Sequence, residues 1–97
     1  MFVIRVIYRW TVPTAEQHEF AQWWHERTSE IRDSEPGAMG SALLRSTNDD
    51  STMIGIARWQ SVDHLNDFRR RVGSIRYAAA SLDTIEIFDE VDDLTRN

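Results

Sequence analysis

Ninety-seven residues make one domain, and a chain this short buries only about 60–65% of its unfolded surface. At 41% apolar and 28% charged residues the composition is that of a soluble globular protein, with no apolar run long enough to span a membrane, and a net charge of −5 gives none of the positive field a general nucleic-acid binder needs. Cysteine and lysine are both absent and all eleven basic residues are arginine, which excludes disulfides, thiolate nucleophiles, Cys-ligated metal sites, a Schiff-base lysine and the G-x-x-x-x-G-K-[ST] phosphate loop.

Residues 2–12, FVIRVIYRWTV, alternate in polarity. Phe2, Ile4, Val6, Tyr8, Trp10 and Val12 share one face, with Val3, Arg5, Ile7, Arg9 and Thr11 on the other, so a strand is expected, wet or partner-facing on its arginine side. Pro13 ends it. Thr14-Ala15-Glu16-Gln17 has the form of a capping box, and the pattern is helical from there to about Asp33. Gln17, Phe20, Ala21, Trp24, Thr28 and Ile31 form its apolar stripe, with Trp23 and His25 on opposite borders. Glu35-Pro36-Gly37 stops the helix. Residues 38–46 and 52–60 read as two strands of a hairpin joined by the polar stretch 47–51. Ser61 can cap a second helix whose stripe is Val62, Leu65, Phe68, Val72 and Ile75, interrupted near Gly73. Residues 82–91 form a last strand, and the acidic end, 92–97, is expected to fray.

The order β-α-β-β-α-β predicts an α+β, ferredoxin-like fold: a four-stranded antiparallel sheet with both helices on one face, in a single domain over 1–97 with its core in 2–91. The other sheet face is left bare. With Val3, Ile7 and Leu43 read onto that side, a homodimer packed through it is expected. No charged and apolar leader precedes the first strand, so a cytoplasmic address is expected.

Three features in this order carry a resemblance to a known family: Glu35-Pro36-Gly37 before a strand ending Leu43-Leu44-Arg45, the segment Ile56-Ala57-Arg58-Trp59-Gln60-Ser61, and a helix opening Val62-Asp63-His64-Leu65. Over roughly residues 2–91 the chain resembles the antibiotic biosynthesis monooxygenase family of dimeric α/β barrels. The resemblance implies a homodimer with a pocket in each subunit between helices and sheet. Some members of that family oxidise anthrones or quinols with molecular oxygen and neither metal nor flavin, and others degrade haem. The haem-degrading branch places Asn, Trp and His where this chain has Val6, Phe68 and Ala78. The anthrone-oxidising branch places Asn, Trp and Tyr where it has Gly55, Trp59 and Leu65, so only Trp59 is kept. Haem degradation is therefore not expected.

Oxidation of an electron-rich phenol needs a protein to bind the substrate, favour its anion and exclude water. His25 is the candidate base, since its border position could direct it to a cleft edge and imidazole titrates near neutrality; its plainer role is a surface histidine. Trp59 would wall a pocket and stack on a planar substrate, or else plug the sheet against the second helix. Tyr8 would hydrogen-bond a ligand, or simply pack. Trp24, Phe68 and Arg58 are candidate substrate contacts, with core packing the competing role of Trp24, and Trp23 is a candidate interface residue. Arg5, Arg9, Arg45 and Arg58 need partners, which Glu86, Asp89 and Glu90 could supply in a network across a dimer; an anion site is the alternative. His18 and His25 lie about 10 Å apart along a helix axis, so no metal is expected. The expected function is cofactor-independent oxidation of a small aromatic molecule by O2, with no cofactor, nucleic-acid or membrane partner. The alternatives are a non-catalytic dimeric ligand-binding or stress-response protein, and a polyketide cyclase or isomerase.

Overall fold

The computed structural model describes residues 2–73 and 75–96. The elements run β1 (Ile4–Thr11), a 3-10 turn (Thr14–Glu16), α1 (Gln17–Ser34), β2 (Ala38–Arg45), β3 (Thr52–Trp59), α2 (Val62–Val72) and β4 (Ser81–Asp89). The sheet order is β2-β3-β1-β4, antiparallel throughout, with both helices on one face, as the β-α-β-β-α-β pattern predicts. No helix among the described residues is long and apolar enough to cross a membrane.

Alternation along β1 sorts its side chains. Ile4, Val6 and Trp10 are buried under the helices, while Arg5, Ile7 and Arg9 point to the open face. The same rule on β3 buries Met53, Gly55 and Trp59. On β2 it is reset. Ala38 pairs with Trp59 and Ser41 with Ala57, so three steps along β2 match two along β3, a bulge at Met39 and Gly40. The extra residue turns Leu43 inward, opposite Gly55 and against the core, and leaves Leu44 exposed. This corrects the expectation that Leu43 lies on the bare side.

The capping box at Thr14 does not form. Pro13 starts a 3-10 turn with no side-chain cap, and α1 begins only at Gln17. The buried Gln17 amide instead donates to the carbonyls of Val12, at 3.1 Å, and Asp50, tying the end of β1 to the β2–β3 turn. After α1 the chain turns at Gly37, whose φ is +83°, and a Cβ there would lie 2.4–2.7 Å from the His64 ring. Only glycine fits both the backbone angle and this approach of the α1 exit to the start of α2. Ser61 caps α2 as expected, its hydroxyl accepting the His64 N–H at 3.2 Å. The buried stripe of α2 narrows to Leu65 and Phe68, with Val62 and Val72 at its exposed borders.

Two apolar clusters fill the space between sheet and helices. Ile4, Val6, Trp59, Leu65 and Phe68 form one, and Trp10, Val12, Phe20 and Met53 the other, and Tyr8 packs against both. Tyr8 pairs across the strands with Gly55, which carries no side chain, so the seam between the clusters is thinly filled.

The end of the chain is tied down rather than frayed up to Asp93. Glu90 and Asp93 both bond Arg5 at 2.8 Å, and Glu90 also bonds Arg58 at 2.9 Å through each carboxylate oxygen. Of the three acids expected to partner the strand arginines, Glu90 does so; Asp93 was not anticipated. Asp89 pairs with Ile4 on the helix-facing side, and Glu86 is exposed.

Candidate functional site

The seam at Tyr8 opens into a cavity. Its floor is Tyr8 and Trp10 of β1 with Ala57 and Trp59 of β3. Trp23, Trp24, Thr28 and Ile31 of α1 roof it, Phe68 of α2 and Ile75 close one side, and Ala38, Gly40 and Ser41 of β2 the other. The centre of a water molecule can reach only about 50 Å³ of it. That is room for a few waters, each needing about 10–15 Å³ on this measure. A second cavity adjoins it, about 220 Å³ on the same water-centre measure and so the roomier of the two, sharing Tyr8, Phe68 and Ile75 and adding Arg69, Gly73 and Ile85.

Aromatic contacts make the walls stiff. Trp10 and Tyr77 meet Phe20 edge-on, with centroids 5.1 Å and 5.3 Å away, and Trp23 lies 5.0 Å from Tyr77. Trp59 leans on Phe68 at 5.2 Å. Such pairs add about 0.5–1.5 kcal/mol each beyond their burial. Trp59 thus plugs the sheet against α2 and walls the cavity at once. Gly55 has a particular neighbour: a Cβ there would stand 3.5 Å from Trp24 Nε1. The Trp24 indole therefore lies over the glycine.

Of the residues singled out in the sequence, Tyr8, Trp24, Trp59 and Phe68 meet at this cavity. Trp23, read as an interface residue, lines it too. His25 does not: the 100° turn per residue carries it from the Trp24 stripe to the exposed side of α1. Arg58 borders the cavity, but its guanidinium is held by Glu90 on the open face of the sheet. Arg27 and Arg32 line the cavity and had not been picked out. The signal was available, because on a helical wheel they flank Trp24 at about 60° and 80°.

Burial pushes the Tyr8 hydroxyl above the ordinary tyrosine range, partly offset by the nearby Arg69 cation. At neutral pH it is therefore a neutral donor, not a base. Among the described residues no aspartate, glutamate or histidine lines either cavity. On the open face the two guanidiniums hold the Glu90 carboxyl down to about 2. Arg45 turns to the helix side, reaching Gln17 Oε1 at 3.4 Å, and Arg9 is exposed. Among the described residues no three His, Asp or Glu side chains are grouped to hold a metal ion.

Comparison with known proteins gives two positive findings. The model of the family described as antibiotic biosynthesis monooxygenase matches residues 3–80. Solved structures share the fold. The heme-degrader MhuD from Mycobacterium tuberculosis is 18% identical, with 95% of this chain and 98% of that chain covered at a TM-score of 0.70. SnoaB, a cofactor-independent oxygenase from Streptomyces nogalater, is 21% identical, with 99% and 100% covered at 0.66. No curated protein matches the chain.

Proposed function

The chain belongs to the antibiotic biosynthesis monooxygenase family, and from that premise we propose that it oxidises a small electron-rich aromatic molecule, anthrone- or quinol-like, with O2 and no bound cofactor. The observation that carries this reading is the pair of adjoining cavities at Tyr8, where aromatic walls and a neutral hydroxyl donor meet between helices and sheet; a ring enters through the roomier one and must part the walls of the other, which rests with space for a few waters. The fold shared with SnoaB supports it. Val6 and Phe68 are sealed in the apolar core at the positions where the haem-degrading branch has polar or indole groups, which favours aromatic oxidation over haem degradation.

The chemistry asks little of the protein. Loss of a proton from the anthrone methylene gives an enolate, whose electrons reduce O2. The hydroperoxide formed at that carbon then loses water to leave the quinone, so one O2 yields one quinone oxygen and one water. Tyr8 donates to the enolate oxygen and lowers the acidity barrier, Trp59, Trp24 and Phe68 hold the ring plane, and the apolar walls keep bulk water away. The proton leaves through the few waters the cavity holds, since among the described residues no imidazole or carboxylate lines it. The working unit in this reading is a homodimer packed through the open sheet face, where Ile7, Ile54, Ile56 and Phe88 lie uncovered or half-covered.

Metal- and flavin-free protein supplied with anthrone or a hydroquinone should consume O2 above the uncatalysed rate, one O2 per quinone formed, in an oxygen electrode. The missing base favours a second reading, a ligand-binding module without catalysis. Ligand binding with no oxygen uptake would establish that reading instead.

A further inference from the structure

The lining of the cavity is opposite in charge to the chain as a whole. The chain carries a net −5, yet neither the main cavity nor its neighbour has a carboxylate in its lining. Arg27 and Arg32 stand on either side of the α1 stripe that roofs the main cavity. Resting on the proposal that the cavity takes an aromatic substrate, we infer that this substrate is an anion, an aromatic carboxylate, with its charge held at the rim by Arg27 and Arg32.

The two guanidiniums are available for this. Arg27 reaches Glu30 through one contact of 3.6 Å, and Arg32 reaches Asp33 at 3.1 Å, with both acids mostly in solvent. Single contacts to exposed carboxylates hold a side chain weakly. Each guanidinium has five donors, so most remain unused. Glu35, the other acid near Arg27, is taken by Arg71 at 2.7 Å. The contrast is Arg58, whose two bonds to Glu90 on the opposite face leave it committed. The stem of Arg32 also fits a place at the rim, since its Cδ is 3.7 Å from the Cβ position of Gly40 in the β2 bulge. An apolar stem along the sheet edge with the charged head at the opening is the usual posture of such a residue. Ring stacking in the interior and charge capture at the rim then fix the orientation of a flat substrate from both ends.

Isothermal titration with a matched pair separates the inference from the reading beneath it. The probes are 3-hydroxy-2-naphthoate and its neutral amide, alike in size and ring system. The acid should bind the native protein about tenfold more tightly than the amide, the scale of a charge-assisted hydrogen bond. Arg27→Gln and Arg32→Gln should each narrow that preference, and the double variant should abolish it by weakening the acid about tenfold more than the amide. Equal binding of acid and amide, or a preference intact in the double variant, would overturn the anionic substrate and leave the aromatic cavity standing. If neither probe binds, the aromatic cavity fails and the inference with it. Should the variants not fold, the comparison on the native protein decides alone.

Discussion

On one face of the sheet, Ile4, Val6, Trp10, Met53 and Trp59 are sealed beneath two helices; on the other, Phe88 is exposed and Ile7, Ile54 and Ile56 are half-buried beside Arg5, Arg58 and Glu90. The same four strands supply both surfaces, so the difference comes from what each alternate residue meets. The covered face places the Tyr8 hydroxyl at the seam of two apolar clusters. The open face pairs Arg5 and Arg58 with Glu90 and Asp93 near the start of β1 and leaves a strip of branched side chains beside them. The first arrangement encloses a cavity. The second is one that a second copy of the chain could complete.

The largest effect should come from breaking the covered face. Phe20 is fully buried and touches Trp10, Trp23 and Tyr77. Phe20→Ala should cost about 3–5 kcal/mol of stability, read from the denaturant midpoint at unchanged slope. A loss below about 1 kcal/mol would mean the aromatic array is not the structural wall it is taken to be. On the open face, Ile7→Glu should weaken self-association by about a hundredfold, because each copy would place a carboxylate against the other. Light scattering over a dilution series reads this directly, and a native protein that is monomeric throughout would end the dimer proposal.

The ion-paired group on the open face gives a smaller effect with a defined pH signature. Glu90 titrates at about 2 in the folded chain, below its ordinary 4.5. Between those values the unfolded chain binds a proton that the folded chain refuses. The contribution is therefore complete above about pH 4.5 and is lost as pH falls toward 2. Glu90→Gln should lower the denaturant midpoint at neutral pH and flatten its decline across that acid window. A variant that loses stability with the same acid slope as the native protein would place the linkage elsewhere, for instance at Asp93, whose carboxyl is also lowered, by Thr95 first and by Arg5.

The fold could be read from the sequence because its elements rest on local periods: two along FVIRVIYRWTV, and near 3.6 from Phe20 to Ile31. What escaped depends on events that no period records. One extra residue at Met39–Gly40 turned Leu43 over. Pro13 opened a 3-10 turn where Thr14 and Gln17 matched a cap motif. Asp93 found Arg5 across 88 residues, a pairing fixed only by the strand order. The site divides in the same way. Tyr8, Trp24, Trp59 and Phe68 lie on inward faces and could be anticipated. His25 has the chemistry of a base, but one step beyond Trp24 rotates it outward; Arg27 and Arg32 line the cavity although charged border residues usually belong to solvent.

The smallest effect is also the most direct test of what sets the covered face apart. Tyr8→Phe removes one oxygen and keeps the ring that packs against both clusters, so stability should change by less than about 1 kcal/mol. If the hydroxyl meets a substrate oxygen, the variant should bind a hydroxylated aromatic about three- to tenfold more weakly, the range of one neutral hydrogen bond, and its affinity for the same ring without oxygen should not move. A substrate enolate gains more from that donor than the neutral form does, so turnover should fall further than ground-state affinity. Equal losses for both ligands would mean that the hydroxyl only shapes the wall. The outcome separates a cavity that merely holds an aromatic ring from one that stabilises the charge developing on it.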